Sequence, residues 1–227
     1  MSVALAPSSS IRAVLFDLDG TLIDSAPDLA LAGNTLRQAR GLAPIEHSVY
    51  RPHSGSGARG ILRVALSATP ELPAYEALRE EFLAAYHGHL LTHTAFFDEV
   101  EQLLGALGRQ GIAWGIVTNK AYRFTQPTVQ AFPALQRAAT VVCGDTTPHT
   151  KPHPAPLLAA MAAAGMSPEH TVYVGDDQRD IQAGRAAGTR TVAAAYGYLG
   201  PDTDPRDWGA DAIIHSPLGL LKLLDPA

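Results

Sequence analysis

Residues 11–21 read IRAVLFDLDGT, and the two halves of this stretch ask for different surroundings. Ala13 to Phe16 are apolar, as a parallel strand buried on both faces requires. The run then stops on Asp17 and Asp19, with Gly20-Thr21 behind them. Side chains alternate direction along a strand, yet a chain curling off its strand can bring both carboxylates around one point. Two anions held so close raise each other's pKa unless a cation sits between them. The pair therefore predicts a hard divalent metal with oxygen ligands, magnesium above all. Gly20 permits a tight turn and leaves backbone N–H groups free to face an anion. Taken alone, D-x-D also fits a strand ending in an Asx turn, so the remaining chain has to decide.

Downstream, residues 24–91 contain no convincing strand. Helical periodicity runs over 26–40, with Leu29, Leu31, Ala32 and Leu36 apolar, and stops before Gly41. A second helix is expected over 58–66, after the small-residue run Ser54-Gly55-Ser56-Gly57. A third covers 75–91, with Leu78, Phe82 and Tyr86 on one face. From Asp98 onward helix and strand alternate: helices over 99–109, 125–131, 152–164, 181–187 and 218–224, strands over 113–117, 139–143, 171–174, 191–195 and 212–214. Alternation of this kind predicts a parallel sheet with helices on both faces. The expected architecture is α/β: a Rossmann-like, doubly wound parallel sheet core with an inserted all-helical cap. Residues 11–23 and 95–227 would form the core, 24–94 the cap and 1–10 a loose tail.

Composition narrows the function. A formal net charge of −5 without a basic run gives no footprint for nucleic acid or an anionic membrane. No apolar segment approaches the length of a bilayer span, and MSVALAPSSS lacks the charged start of a signal peptide. The single cysteine, Cys143, rules out an intramolecular disulfide and fits a reducing cytoplasm. It stands in an apolar run, which reads as packing. A cytoplasmic monomer or homodimer acting on a small metabolite is expected, with neither nucleic acid nor membrane as partner.

Ligands of open parallel sheets bind beyond the carboxyl ends of the strands, and several strand ends here carry suitable groups. The first brings Asp17 and Asp19, and the next brings Thr118 and Asn119, a hydroxyl and an amide able to bond phosphate oxygens. A later one brings Asp176 and Asp177, with Asp180 one helical turn on. Lys151, in the loop before a Pro-started helix, could reach the same point. Each has a plain structural reading alone, as a helix cap or a solvated lysine. Together they suit a metal and a tetrahedral anion.

DLDGT at 17–21, T-N at 118–119, K-P at 151–152 and GDDxxD at 175–180 resemble, in order and spacing, the four motifs of the haloacid dehalogenase superfamily. The helical insert resembles the cap of its phosphoglycolate phosphatase branch. SGSGARG, WGIVTNKAYRF, AGTRTVAAAYGY and DWGAD resemble proteins called either phosphoglycolate phosphatase or N-acetylmuramate 6-phosphate phosphatase. The resemblance implies that Asp17 is a nucleophile forming an aspartyl-phosphate, and that Asp19 is the general acid and then base. It implies magnesium held by Asp17, Asp176 and the backbone carbonyl of Asp19, with Asp177 or Asp180 behind them or bridged by water. Thr118, Asn119, Lys151 and the Gly20 turn would hold the phosphoryl group. Asp177 departs from the commoner pattern, which has a small or hydroxylated residue there. Arg59, with His53 and Arg123 as further candidates, would read a substrate carboxylate. The implied substrate is 2-phosphoglycolate first and N-acetylmuramate 6-phosphate second.

Several other readings compete. A dehalogenase has no need of Asp19 or a metal. A phosphonatase needs a Schiff-base lysine in the cap, and no lysine occurs between residues 22 and 119. A sugar phosphatase or phosphomutase keeps both aspartates. A non-enzymatic receiver-like module also joins acids, a hydroxyl and a lysine on a parallel sheet, but lacks the second aspartate of D-x-D and the helical insert.

Overall fold

Strand β1 (Ala13–Phe16) runs through the middle of the sheet, which explains why all its residues are apolar. In this computed structural model, which describes residues 11–224, β1 pairs in parallel with β4 (Ala113–Val117) on one side and β6 (Thr171–Gly175) on the other. The full order is β5 (Val141–Val142), β4, β1, β6, β7 (Arg190–Ala194) and β8 (Ala212–Ile214), all parallel. The register sets Phe16 level with Ile116 and Val174. Asp17, Thr118 and Asp176 therefore leave the sheet at the same edge. The tail expected over residues 1–10 lies outside the described residues.

The period-two rule sorts the core. Val14 and Phe16 face one side, packed with Leu103 and Leu107 of α5 (Val100–Arg109) and Leu220 of α9 (Gly219–Leu224). Leu15, Val117 and Tyr173 face the other, against Leu157 and Met161 of α7 (Ala155–Ala164) and Ala183 of α8 (Gln178–Ala186). Both faces are covered, as a parallel sheet demands. Among the described residues no helix is long and apolar enough to cross a membrane.

The inserted segment is helical: α1 (Ala26–Gln38), α2 (His47–Tyr50), α3 (Gly57–Leu66) and α4 (Tyr75–His89) enclose Leu29, Leu36, Tyr50, Ile61, Leu62 and Phe82. Phe124, from α6 (Tyr122–Ala131) of the sheet layer, joins this cluster and seats the cap. A short antiparallel ribbon, β2 (Ile23–Asp24) with β3 (Ala95–Phe96), stands where the chain leaves and re-enters the sheet layer. Its two-residue strands are too short to show a pattern. Buried Asp28 ties the two connections together, accepting from the backbone of His93 and Thr94 and from the Thr94 hydroxyl.

Three local expectations need correcting. The strand expected over 139–143 is reduced to Val141–Val142 at the sheet edge, although the Ala139 N–H and the Thr140 carbonyl already bond to Trp114 and Ile116 of β4. The helix expected from 125 begins at Tyr122 and accommodates Pro127 inside it. The small-residue run Ser54–Gly57, expected only to precede the second helix, is itself helical: Ser54 to Ser56 end a 3-10 turn (Arg51–Ser56) and Gly57 opens α3. Small residues are needed there for close packing: Ser54 is buried, and a Cβ on Gly60 would lie 2.1 Å from the His53 carbonyl oxygen.

Candidate active site

Asp17, Asp176 and Asp180 converge above the sheet edge, each offering a carboxylate oxygen within 4.8 Å of the others. Lys151 enters the cluster from below. Its Nζ lies 2.8 Å from Asp17 Oδ1 and 2.7 Å from Asp180 Oδ1, and it also donates to the Tyr173 hydroxyl and the Val117 carbonyl. Asp176 accepts from the Thr21 hydroxyl at 2.9 Å and the Tyr198 backbone N–H at 2.8 Å. Gly20, at φ +91°, makes room for it: a Cβ there would sit 2.1 Å from Asp176 Oδ2. This glycine serves proximity. Its N–H, expected to be free for an anion, is spent on the Ile23 carbonyl at 2.9 Å.

Three buried acids facing one lysine are electrostatically incomplete. Burial, together with Asp180, pushes the Asp17 carboxyl up to about 7 despite the opposing pull of Lys151. Burial and the neighbouring acids raise Asp176 well above the carboxylate range. Burial alone would lower Lys151, but Asp17 and Asp180 outweigh it and raise it. The surplus negative charge and all-oxygen donor set fit a hard divalent cation. Metal binding must then displace protons. Apparent Mg²⁺ affinity is expected to rise with pH through about 7 as Asp17 gives up its proton. Titration calorimetry at pH 5.5, 7 and 8.5 checks this, and a flat profile rejects it. The sign for stability is opposite. A carboxyl raised in the folded state holds its proton more tightly there, so the contribution of Asp17 to the stability of the metal-free protein is fullest at low pH. That contribution is lost as pH climbs from the ordinary carboxylate value through about 7.

Of the two acids expected behind the metal, Asp180 joins the cluster and Asp177 does not. Asp177 caps α8: its carboxylate accepts from Arg179 N–H and its own N–H donates to Asp180, a reciprocal capping box. It also grips the Arg179 guanidinium at 2.8 Å, and despite burial that partner holds its carboxyl below the usual range. Asn119, expected to bind phosphate, lines the cavity and clamps the loop that carries Lys151. Its Nδ2 donates to the Lys151 carbonyl and its Oδ1 accepts the Lys151 N–H, both at 3.0 Å. Thr118 is buried at the cavity wall, where its hydroxyl oxygen accepts the Lys120 N–H.

Asp19 stands opposite the metal-type cluster. Its Oδ1 accepts from Ser25 Oγ and from Lys120 Nζ, the latter at 2.7 Å. Lys120 went unrecognised in the sequence, although it directly follows the T-N pair. Arg179 and Tyr86 were also missed, because nothing local marks a residue that reaches across a domain interface. Arg179 donates to the Gly55 carbonyl of the cap at 2.7 Å, and Lys120 donates to the Tyr86 hydroxyl at 2.6 Å. These two bridges flank a partly open cavity of about 340 Å³ between cap and sheet. Its walls carry Arg59, Arg79 and Arg123 with Tyr75, Phe82 and Phe124. Arg79 is paired with Glu76 and Glu80, whereas among the described residues Arg59 and Arg123 form no ion pair. His53, the third candidate for the substrate carboxylate, is not among the lining residues.

A doubly wound sheet that presents an acid pair, an acidic cluster and a buried lysine beneath a helical cap has the groups that a phosphoric monoester hydrolase needs. The chain belongs to the haloacid dehalogenase-like hydrolases, whose family model matches residues 14–194. It is 41% identical over 217 residues to an N-acetylmuramic acid 6-phosphate phosphatase of Pseudomonas aeruginosa, covering 96% of both chains. It is 46% identical over 206 residues to a phosphoglycolate phosphatase of Xanthomonas campestris pv. campestris, covering 91% of this chain and 93% of that one. Among solved structures, a predicted phosphoglycolate phosphatase from Haemophilus somnus superposes with a TM-score of 0.83 at 28% identity, covering 96% of this chain and 99% of the other.

Proposed function

We propose that the enzyme is a cytoplasmic, Mg²⁺-dependent phosphatase whose substrate is a carboxylated phosphomonoester of amino-sugar size, N-acetylmuramate 6-phosphate ahead of 2-phosphoglycolate. The cavity carries this reading. The cleft holds about 340 Å³ with both cap bridges made and stays partly open to solvent, within the range of about 300–1,000 Å³ typical of pockets for drug-sized ligands. A two-carbon phosphate ester would leave most of that space wet. An aromatic wall suits a sugar ring and its acetamido methyl, and the unpaired Arg59 and Arg123 suit a carboxylate. The 46% identity to a phosphoglycolate phosphatase keeps the smaller substrate as the second reading.

Asp17 Oδ1 already accepts from the Leu18 N–H at 2.7 Å and from Lys151. Oδ2 is therefore the oxygen that attacks phosphorus to give the aspartyl-phosphate. Asp19, whose Oδ1 is held by Ser25 and Lys120, presents Oδ2 to the leaving oxygen. It donates a proton there, then takes one from the water that splits the acyl phosphate. Lys151 and the Thr118 hydroxyl bear on the phosphoryl oxygens. Mg²⁺, held by Asp17, Asp176, Asp180 and the Asp19 carbonyl, would neutralise the meeting of carboxylate and phosphate dianion.

The test is Mg²⁺-dependent phosphate release from N-acetylmuramate 6-phosphate, 2-phosphoglycolate, N-acetylglucosamine 6-phosphate and glucose 6-phosphate. The expected order of kcat/KM puts the muramate first. Highest turnover of 2-phosphoglycolate replaces this reading with the second one, and isomerised sugar phosphate would identify a mutase. Arg59→Ala and Arg123→Ala are each expected to cost about 10- to 100-fold in kcat/KM for the carboxylated substrates. They should leave N-acetylglucosamine 6-phosphate, which lacks the carboxylate, within about threefold. Equal losses on both esters would remove carboxylate recognition from these arginines.

A further inference from the structure

Lys120 is nearly as buried as the catalytic cluster, and its link to the cap enters no step above. Its side chain is 8% exposed, and its ammonium spans the two domains. On the sheet side it lies 2.7 Å from Asp19 Oδ1, and on the cap side 2.6 Å from the Tyr86 hydroxyl, with the Tyr86 ring 5.1 Å away. The backbone that carries it is itself seated on the cap: four residues on, Phe124 packs against Tyr86 at 5.2 Å, and Tyr86 stacks on Phe82. A lysine is a point charge on a long flexible stem. Held by one acceptor it sweeps a cone; held by two from different domains it has one position. Lys120 and Ser25 both donate to Oδ1 of Asp19, so they fix the rotation of the carboxylate and aim Oδ2 at the cavity.

We propose that Lys120 is a positioning residue which, by bridging Asp19 and Tyr86, makes the aim of the Asp19 carboxylate depend on the docked cap. The inference rests on Asp19 acting as proton donor to the leaving alkoxide. With α4 withdrawn, Lys120 loses one of its two anchors, and the proton is no longer delivered along the line of the breaking P–O bond. The leaving oxygen, which takes that bond's electron pair, must then depart unprotonated. Substrate that brings the cap home would thereby assemble its own proton donor, while a small ester that leaves the cap undocked would not.

Leaving groups provide the test, because p-nitrophenolate departs without a proton whereas an alkoxide does not. kcat/KM reports only the steps up to alcohol departure, so later hydrolysis of the phosphoenzyme does not enter. Lys120→Met is expected to lower kcat/KM about 100-fold for the alkyl ester turned over fastest in the panel above, and less than tenfold for p-nitrophenyl phosphate. Tyr86→Phe keeps the aromatic stack and the ammonium but removes the cap anchor; it should move the same ratio in the same direction by about tenfold. Equal losses on both esters, or a rise in KM alone as for a lysine that binds substrate, would overturn the proposal. So would a Tyr86→Phe ratio identical to wild type. Asp19→Asn separates the two levels of inference. If it lacks the leaving-group dependence, the acid role of Asp19 fails. If it shows the dependence and the Lys120 and Tyr86 variants do not, only the bridge fails.

Discussion

Asp17→Asn is expected to lower kcat by about 10⁴-fold or more on every ester, p-nitrophenyl phosphate included, because no other group stands ready to attack phosphorus. The amide is nearly isosteric. Its oxygen can still accept from Leu18 N–H and Lys151, so the fold and the Lys151 position should survive. Acid-quenched wild-type enzyme should carry a covalent phosphate that the variant lacks, read as a mass shift on the peptide containing residue 17. The same substitution has an opposite signature in stability. In the metal-free wild type, burial and Asp180 push the Asp17 carboxyl to about 7, so its contribution to stability is lost as pH climbs from the ordinary carboxylate value to about 7. Asparagine does not titrate. Without Mg²⁺ the variant should therefore match wild type near pH 4, gain on it in melting temperature as pH climbs to about 7, and hold that lead above it. An inactive variant that gains stability is the expected behaviour of a residue strained for function. Residual activity above about 1% of wild type would assign the nucleophile elsewhere.

The sheet and the strand-end groups were legible because each was local. Val14 to Phe16 followed by Asp17, the Gly-Asp-Asp after Val174, and the alternation beyond Asp98 all follow short-range rules of burial and turn chemistry. What was not legible depended on partners distant in the chain. Asp177 and Asp180 are alike as carboxylates, and only the capping box and the reach of Lys151 divide them into a helix cap and a member of the cluster. Asn119 has the chemistry of a phosphate ligand, but its second role, clamping a loop 32 residues away, has no local mark. The ribbon Ile23–Asp24 with Ala95–Phe96 joins segments separated by the whole cap. Lys120, Tyr86 and Arg179 acquire roles only once the cap is placed, because each contact that defines them crosses an interface. A register fixed by neighbouring strands carries the acids to one edge, but the closure above them is a property of the tertiary structure.

Lys151→Met should damage stability and catalysis together, with a dependence on pH and metal that identifies the cause. The methionine fills much of the same tunnel beside Tyr173 and Val117, so little packing is lost. What is lost is the single ammonium between Asp17 and Asp180, at 2.8 and 2.7 Å. Removing one partner of a buried charge cluster costs about 3–5 kcal/mol, and at roughly 2–4 °C per kcal/mol for a chain of this size Tm should fall by about 6–20 °C at pH 8. At pH 5 the fall should be smaller. There the acids, already raised by burial and raised further without Lys151, can take up protons in place of the missing cation. Saturating Mg²⁺ should recover part of the loss at pH 8, since it neutralises the same oxygens. Even then kcat should stay about 10²- to 10³-fold low, because a preorganised donor to the phosphoryl oxygens is gone. Lys151→Arg is no rescue: a planar guanidinium does not fit where a compact ammonium meets two carboxylates, a phenol and a carbonyl. Calorimetric melts at pH 5 and 8, with and without Mg²⁺, give the four values needed. If Tm falls equally at both pH values and ignores the metal, the lysine acts as packing, and the charge balance proposed for the cluster is wrong.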